Sequence, residues 1–451
     1  MLKYKTDSRK VEKGDIFVAL RGVNHDGHSY IADAIEKGAT KVVAEEGLYP
    51  VETYIVKDTH EYLVQTLKRE YYDEIKDLKL IGITGTNGKT TSCYLIHQAL
   101  NRLGRKCGYI GTIGFYIDEK ICDLPNTTPD ILDLYDMLLT CKKEGCEFVA
   151  MEVSSHSLDM NRVDGLLFDY AIFTNLTQDH LDYHGNMKNY ALAKQKLFRK
   201  MKEQGTCFIN IDDDNSYHFL LPENHNITYG FRNGSYRITN MTYSLGHTDF
   251  IVSHEGEKTY QMKLIGKHNL YNMLVVIMLL EELGIEESEI RKTISLLEEP
   301  RGRMECVRYH DALIIVDYAH TPDAVSNAIH AVLEIPHGKI YTIVGCGGDR
   351  DRAKRPEMAK IATDLSDYAI FTSDNPRNED PEHILDDMEH GLDNTNYEKI
   401  VNRKEAINRG IQMLQKSDIL LLLGKGHETY QVIGNKKIHF DDMEEVKKII
   451  K

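Results

Sequence analysis

Residues 79–100 read KLIGITGTNGKTTSCYLIHQAL. The run from Leu80 to Ile83 has no alternating polar face, the pattern of a strand buried on both sides of a parallel sheet. Gly85 and Gly88 then break the run, Lys89, Thr90 and Thr91 follow, and apolar residues return at helical spacing through Leu100. Strand, glycine turn and helix in this order open a βαβ unit. The turn, Thr84-Gly85-Thr86-Asn87-Gly88-Lys89-Thr90-Thr91, supplies what a phosphate cradle needs: pliable backbone N–H groups, the positive end of a helix, a lysine, and hydroxyls that can reach a magnesium ion. The bland alternative is a glycine turn between strand and helix, and GKTT directly after an apolar strand weighs against it. The spacing departs from the standard Walker loop, because Ile83 stands where the first glycine would fall.

Downstream, FVAMEVSS (148–155), YAIFTNL (170–176) and TCFINI (206–211) are further buried-strand candidates, separated by helical patterns such as NYALAKQKLFRKM (189–201). A largely parallel sheet follows from this alternation. Upstream, GDIFVALRG and KVVAEEG predict a small α/β unit. After PRGRMECV the alternation resumes, and ALIIVDYAH, KIYTIVGCGG, YAIFTSDN and DILLLLGKG all end in polar or glycine-rich turns, at the strand edge where doubly wound sheets bind ligands. The expected architecture is α/β in three domains: a small α/β domain over 1–77, a central P-loop-type domain with a mostly parallel sheet over 78–299, and a Rossmann-like domain over 300–451.

Composition narrows the function classes. Of 451 residues, 41% are hydrophobic and 28% charged, a globular balance, and a formal charge of -15 argues against nucleic-acid binding. Eight cysteines without a C-x-x-C pair, and an N-terminus lacking an apolar signal core, predict reduced thiols and a cytoplasmic enzyme. The longest apolar runs, such as ILLLLG at 419–424, fall far short of the roughly 20 residues of a membrane helix, so no membrane insertion is expected.

Glu152 follows FVAM, and Asp179 and His180 follow YAIFTNL, which predicts all three at strand C-terminal ends beside the glycine turn. Carboxylate oxygen and an occasional imidazole suit magnesium, although a lone Glu or His there is more often a cap or surface group. Lys194 sits in YALAKQKLF, where local pattern predicts a solvated lysine no different from Lys196.

TGTNGKTT is similar to the phosphate loop of the Mur ligases and their relative folylpolyglutamate synthase. Other motifs occur in the family's order: DSR (7–9), NTTPD (126–130), MEVSSH (151–156), FTNLTQDHLDYHG (173–185), GKHNLYN (266–272), VDYAHTPD (316–323) and GKGHE (424–428). The resemblance covers nearly the whole chain. It implies an ATP-dependent ligase that activates a carboxylate as an acyl phosphate and joins it to an amine, with ATP between the central and C-terminal domains. The catalytic set it implies is Lys89, Glu152, His180 and Lys194. One magnesium would be held by Thr90 and Glu152, and a second by His180 and a carbamylated Lys194. Gly85 through Thr91, Asn272, Arg303 and Asp317 would meet ATP.

The substrates it implies are small molecules: ATP, UDP-MurNAc-L-Ala-D-Glu and meso-diaminopimelate, handled by a monomer. Ser8, Asn24 and His25 would contact the uridine end, and Thr127, Thr128, Ser154 and Arg162 the sugar and peptide. Met160 departs from the glutamine that diaminopimelate-adding members tend to carry two residues before the arginine. DNPR (374–377) resembles the signature of those members, which implies Arg350, Asp374, Asn375, Arg377, Gly424 and Glu428 as amino-acid contacts. The alternatives are a lysine-adding member, a folylpolyglutamate synthase-like ligase, a regulatory P-loop NTPase and a non-catalytic paralogue.

Overall fold

A computed structural model describes residues 3–22, 26–244 and 246–451, together with every side chain there except that of Asp182. The chain clusters into two compact units, 1–234 and 235–451. Asn24 and His25 lie outside the described residues.

The first unit begins with a parallel four-stranded sheet, β1 (Tyr4–Lys5), β2 (Ile16–Val18), β3 (Lys41–Ala44) and β4 (Glu52–Ile55), with α1 (Ile31–Glu36) and α2 (Thr59–Ile75). A larger layered sheet follows. Its elements are β5 (Lys79–Thr84), α3 (Lys89–Arg102), β6 (Cys107–Gly111), β7 (Gly114–Tyr116), β8 (Lys120–Cys122), α4 (Ile131–Lys143), β9 (Phe148–Glu152), α5 (Ser155–Asp159), β10 (Phe168–Phe173), α6 (Leu181–His184), α7 (Met187–Gln195), β11 (Met201–Asn210) and β12 (His225–Gly230). In space the strands run β12-β11-β10-β5-β9-β6-β7-β8, parallel from β12 to β6 and antiparallel at the β6–β7–β8 edge. The apolar reading of Leu80–Ile83 holds: β5 lies between β10 and β9, and Ile81 and Ile83 are fully buried. Because the chain leaves β5 past β9 to reach β6 and later returns to its other side as β10, the order reverses at β5, and the glycine turn sits at that switch point.

α4 shows how such connections are closed. Gly145 has φ +80, its N–H donates to Lys142 O at 3.0 Å, and the Cys146 N–H donates to Cys141 O at 2.9 Å. This paired closure needs a left-handed residue after the helix. A Cβ on Gly145 would meet nothing within 4 Å. Gly145→Ala therefore isolates the backbone strain, and is expected to lower stability by about 1–2 kcal/mol, read as a lower urea midpoint at unchanged slope.

The second unit starts with an antiparallel meander, β13 (Tyr236–Ser244), β14 (His247–Ser253) and β15 (Glu257–Met262), then α8 (Lys267–Glu282), whose run from Met273 to Leu280 is buried all round, and α9 (Glu287–Ile294). A six-stranded sheet follows: β16 (Glu305–Tyr309), β17 (Ala312–Asp317), α10 (Pro322–Leu333), β18 (Ile340–Cys346), α11 (Lys354–Leu365), β19 (Tyr368–Ser373), α12 (Pro381–Glu389), β20 (Tyr397–Lys399), α13 (Arg403–Met413) and β21 (Ile419–Leu423). The order is β16-β17-β21-β18-β19-β20, with only β16 antiparallel. Apolar clusters fill both faces of this sheet. The hairpin β22 (Tyr430–Ile433) and β23 (Lys436–His439) and then α14 (Asp442–Ile449) end the chain. Arg403 and Asp442 are both fully buried and paired twice, Nε to Oδ1 at 2.7 Å and Nη2 to Oδ2 at 2.6 Å, which ties α13 to α14. No helix among the described residues is long and apolar enough to cross a membrane.

Candidate active site

In the first unit the parallel strands end around the glycine turn. Gly85 (φ +149) and Gly88 (φ +84) give it its shape, and Gly88 caps α3 in the left-handed region. A Cβ at Gly85 would collide with the Thr174 hydroxyl, so the residue after β5 must be glycine. The turn is braced from the end of β10: Thr86 N donates to Asn175 O (2.8 Å), Asn87 N to Asn175 Oδ1 (2.9 Å), and the Thr174 hydroxyl to Asn87 O (2.6 Å). α3 points its N-terminal amides, with Thr90 and Thr91 in its first turn, toward this loop.

Glu152, at the end of β9, is fully exposed to donors and not to water. Its Oε1 accepts from the Tyr109 hydroxyl (2.6 Å) and Thr112 N (2.8 Å), and its Oε2 from the Thr90 hydroxyl (2.9 Å) and the Thr112 hydroxyl (3.2 Å). Burial, and next the charge of Glu152, push the Tyr109 phenol well above its ordinary value, so it stays a donor. The set fits magnesium. Its bonds to oxygen are about 2.1 Å long and adjacent octahedral ligands therefore lie about 3 Å apart, close to the 2.9 Å between Thr90 Oγ1 and Glu152 Oε2. The buried Thr84 hydroxyl beside them has no hydrogen-bond partner among the described residues. No group of three or more His, Cys, Asp or Glu there could hold a metal unaided, so any ion must take further oxygens from elsewhere.

Lys194 overturns the reading drawn from local pattern. Lys196 is the half-exposed lysine, reaching Asp159 at 2.7 Å, whereas Lys194 is 1% exposed and donates to Gly85 O at 2.7 Å, with its Nζ 4.5 Å from the Tyr190 ring centre. The reason is α7's packing under the loop, which the periodicity of YALAKQKLF does not encode. Lys89 Nζ donates to the same Gly85 carbonyl (3.0 Å) and to Thr86 O (2.8 Å). Burial first, and then the charge of Lys89, hold the Lys194 amine well below its ordinary value. As an ammonium Lys194 does not fit a metal; as a carbamate it does.

His180 caps α6 with φ +52, sits 3.3 Å from Asp179, and meets His156 edge to face at 4.7 Å. His180 and Lys194 both border the Tyr190 ring. Thr127, Thr128, Ser154 and Arg162 are gathered on the other side of Glu152. Thr127 meets Thr112 (3.1 Å), Thr128 donates to Glu152 O (2.9 Å), Ser154 caps α5, and Arg162 Nη1 donates to Thr128 O (3.1 Å). Met160 lies against Arg162, its sulfur 3.6 Å from Nη2. Ser8 is buried, its hydroxyl bonded to Asp33. Reading by motif missed Tyr109, Thr112 and His156. Thr112 directly follows the buried strand β6, a signal that was present; nothing local marks Tyr109.

In the second unit Asp317, at the end of β17, accepts from Met304 N and Ala319 N, both at 2.8 Å, and burial raises its carboxyl above the ordinary range. The Arg303 guanidinium lies 5.1 Å from the Tyr318 ring centre, and its buried Nε finds no hydrogen-bond partner among the described residues. Asn272 is buried in α8 and donates to Asn269 Oδ1 at 3.0 Å.

The turns after β18, β19 and β21 converge as expected. Gly348 N donates to Asn375 O (2.9 Å), Arg377 Nη1 to Gly348 O (2.8 Å), and Asn375 Nδ2 to Glu428 Oε2 (2.9 Å). A Cβ at Gly347 would stand 2.9 Å from Arg377 Nη1 and 3.7 Å from Arg350 Cγ, so this glycine leaves room for the Arg377 guanidinium. Gly424 (φ +114) turns the chain off β21 beside Asp374. Lys425 joins this cluster and was not singled out, although GKGHE contains it: its Nζ is 3.4 Å from Asp374 and 3.2 Å from Glu428.

Comparison with known proteins places the chain among relatives. Family models match residues 4–74 (Mur ligase family, catalytic domain), 83–280 (Mur ligase middle domain) and 302–426 (Mur ligase, glutamate ligase domain). The UDP-N-acetylmuramoyl-L-alanyl-D-glutamate--2,6-diaminopimelate ligase of Fusobacterium nucleatum is 44% identical over 97% of this chain and 91% of its own. Its namesake in Bacillus cereus is 41% identical, covering 99% and 93%. A solved structure with the same enzyme name superposes with a TM-score of 0.77 at 34% identity, covering 99% of this chain and 94% of that one. With relatives this similar along almost its full length, the chain belongs to the Mur ligase family.

Proposed function

We propose that this ligase joins meso-diaminopimelate to the D-glutamate of UDP-MurNAc-L-Ala-D-Glu at the expense of ATP, releasing ADP and phosphate. The observation that supports it most is the convergence of Arg377 with Asp374, Asn375 and Glu428, a cation beside carboxylates, as a substrate with amino-acid groups at both ends requires. Residues 1–77 and the Thr127–Arg162 cluster take the UDP-dipeptide, 78–299 the ATP, and 300–451 the incoming amino acid. It works as a monomer in the cytoplasm.

The D-glutamyl carboxylate attacks the γ-phosphorus, giving an acyl phosphate and ADP. The amine then attacks the acyl carbon, and phosphate leaves. Lys89 and the α3 amides neutralise the charge on the transferring phosphoryl group and fix its position, which is most of what phosphoryl transfer asks of a protein. Thr90 and Glu152 would hold one magnesium ion, and His180 with a carbamylated Lys194 a second; when bound, these ions would neutralise charge on the phosphate oxygens. Arg303, Asp317 and Asn272 hold the nucleotide.

The experiment is mass spectrometry of the product formed from UDP-MurNAc-L-Ala-D-Glu, ATP and an equimolar mixture of meso-diaminopimelate, L-lysine and other amino acids. A dominant diaminopimelate tripeptide is expected, with stoichiometric ADP. ATP hydrolysis without a peptide product would overturn the reading.

A further inference from the structure

Lys425 is the one member of the GKGHE turn whose side chain is wholly shut from solvent, yet it is flanked by Asp374 and Glu428, which are 11% and 16% exposed. Its charge is therefore spent on neighbours and not on a ligand. Two other contacts fix those neighbours: Glu428 accepts from Asn375 (2.9 Å), and the Asp374 carbonyl accepts from Gln431 (2.6 Å). The Lys425 Nζ also lies 5.8 Å from the Tyr430 ring centre. Behind Asp374, Arg403 and Asp442 neutralise each other. Within this buried cluster the balance is two carboxylates, Asp374 and Glu428, against one ammonium, Lys425, a surplus of one negative charge.

We infer that Lys425 is a positioning residue for the amino-acid substrate, holding Asp374 and Glu428 so that together they present one uncompensated negative charge to a single substrate ammonium. The inference rests on the diaminopimelate reading above. Arg377, whose Nη1 is held by Gly348 O and Asn375 O next to this cluster, would meet the carboxylate of the same end. Burial already raises the Asp374 carboxyl, and Lys425 is the largest influence opposing that rise. Without Lys425 the two carboxylates would repel, and Asp374 would take a proton and stop accepting.

The test uses the full chain with Lys425→Met, close in shape and uncharged, and compares Michaelis constants for all three substrates. The constant for meso-diaminopimelate is expected to rise at least about 30-fold, while those for ATP and the UDP-dipeptide stay unchanged. Lys425→Arg, which keeps the charge, should recover most of the loss; a packing role would give no recovery. The double variant Lys425→Met, Glu428→Gln restores the surplus of one charge, and is expected to bind diaminopimelate no worse than Glu428→Gln alone. Because it removes charges in a pair, it also serves if Lys425→Met does not fold. An unchanged diaminopimelate constant in Lys425→Met, or losses that multiply in the double variant, would overturn the inference. A wild-type enzyme that does not couple diaminopimelate would instead overturn the reading beneath it.

Discussion

Lys194→Ala is expected to lower turnover about 100- to 1,000-fold, and small carboxylates such as acetate, or bicarbonate with a short alkylamine, should restore part of it. Two lysines share one acceptor, the Gly85 carbonyl, and both cannot comfortably remain ammonium ions beneath a loop meant for phosphates. Lys194 is the one that yields, because it is buried and Lys89 repels it. A neutral amine is a nucleophile: its nitrogen would attack the carbon of carbon dioxide, a proton would be released, and a carbamate anion would stand where the amine was. That exchange turns repulsion of a metal into attraction at the cost of three atoms. The measurement is steady-state turnover of Lys194→Ala with and without added carboxylate, alongside intact-protein mass of the native enzyme handled under carbon dioxide. Full activity in the unrescued variant would sink the idea. Lys194→Met should behave as alanine does without rescue, since it fills the space an added carboxylate needs.

The parts of this site that were legible in the sequence are those whose chemistry is local. The phosphate loop announces itself because a buried strand, two glycines, a lysine and two hydroxyls must be contiguous to make it. The strand ends at Glu152 in one sheet, and at Asp317, Asp374 and Gly424 in the other, were legible for a related reason: an apolar run followed by a polar residue or glycine marks a strand end, and a parallel topology gathers the strand ends within each sheet. What periodicity could not give is which exposed-looking residue is covered by a neighbour distant in sequence. Lys194 lies in the last turn of α7 and Lys196 caps its C-terminus two positions on, and only the loop lying over α7 separates their fates. Tyr109 is likewise one more residue in an apolar strand until Glu152 arrives 43 positions later to accept from it. Lys425 was visible as part of a motif but not as a buried cation, because its two partners come from β19's turn and from three residues further along. Met160 shows the converse: family pattern marked it as a departure, and the structure finds it still in contact with Arg162, so the position has kept its neighbour while losing a polar group.

Arg377→Ala should raise the Michaelis constant for meso-diaminopimelate by roughly 30-fold to several thousand-fold, corresponding to the ~2–5 kcal/mol lost when one partner of a buried charged pair is removed. The backbone of Arg377 is fixed before any ligand arrives: it sits at φ +52, its N–H donates to Val432 O at 3.0 Å, and its carbonyl accepts from Gly434 N at 2.6 Å. Its side chain is half-held, with Nη1 donating to Gly348 O, while Nε and Nη2 carry no hydrogen bond among the described residues. That leaves one edge of the fork for a carboxylate in the two-point geometry that suits guanidinium. L-Lysine lacks the distal carboxylate and would leave this arginine desolvated without a partner, so the native enzyme should reject it strongly. In Arg377→Ala that penalty disappears along with the attraction, and the gap between the two amino acids should narrow even as both react poorly. Arg377→Lys should recover charge but not the two-point fit, and fall between. ATP and UDP-dipeptide constants should be little altered in either variant, because Arg377's hydrogen bonds among the described residues run to Gly348, Asn375, Val432 and Gly434, none of them a candidate for either ligand. Should the native enzyme use L-lysine as readily as meso-diaminopimelate, the inference from DNPR fails and this arginine needs another explanation, while the assignment to the ligase family stands on the phosphate loop and its neighbours.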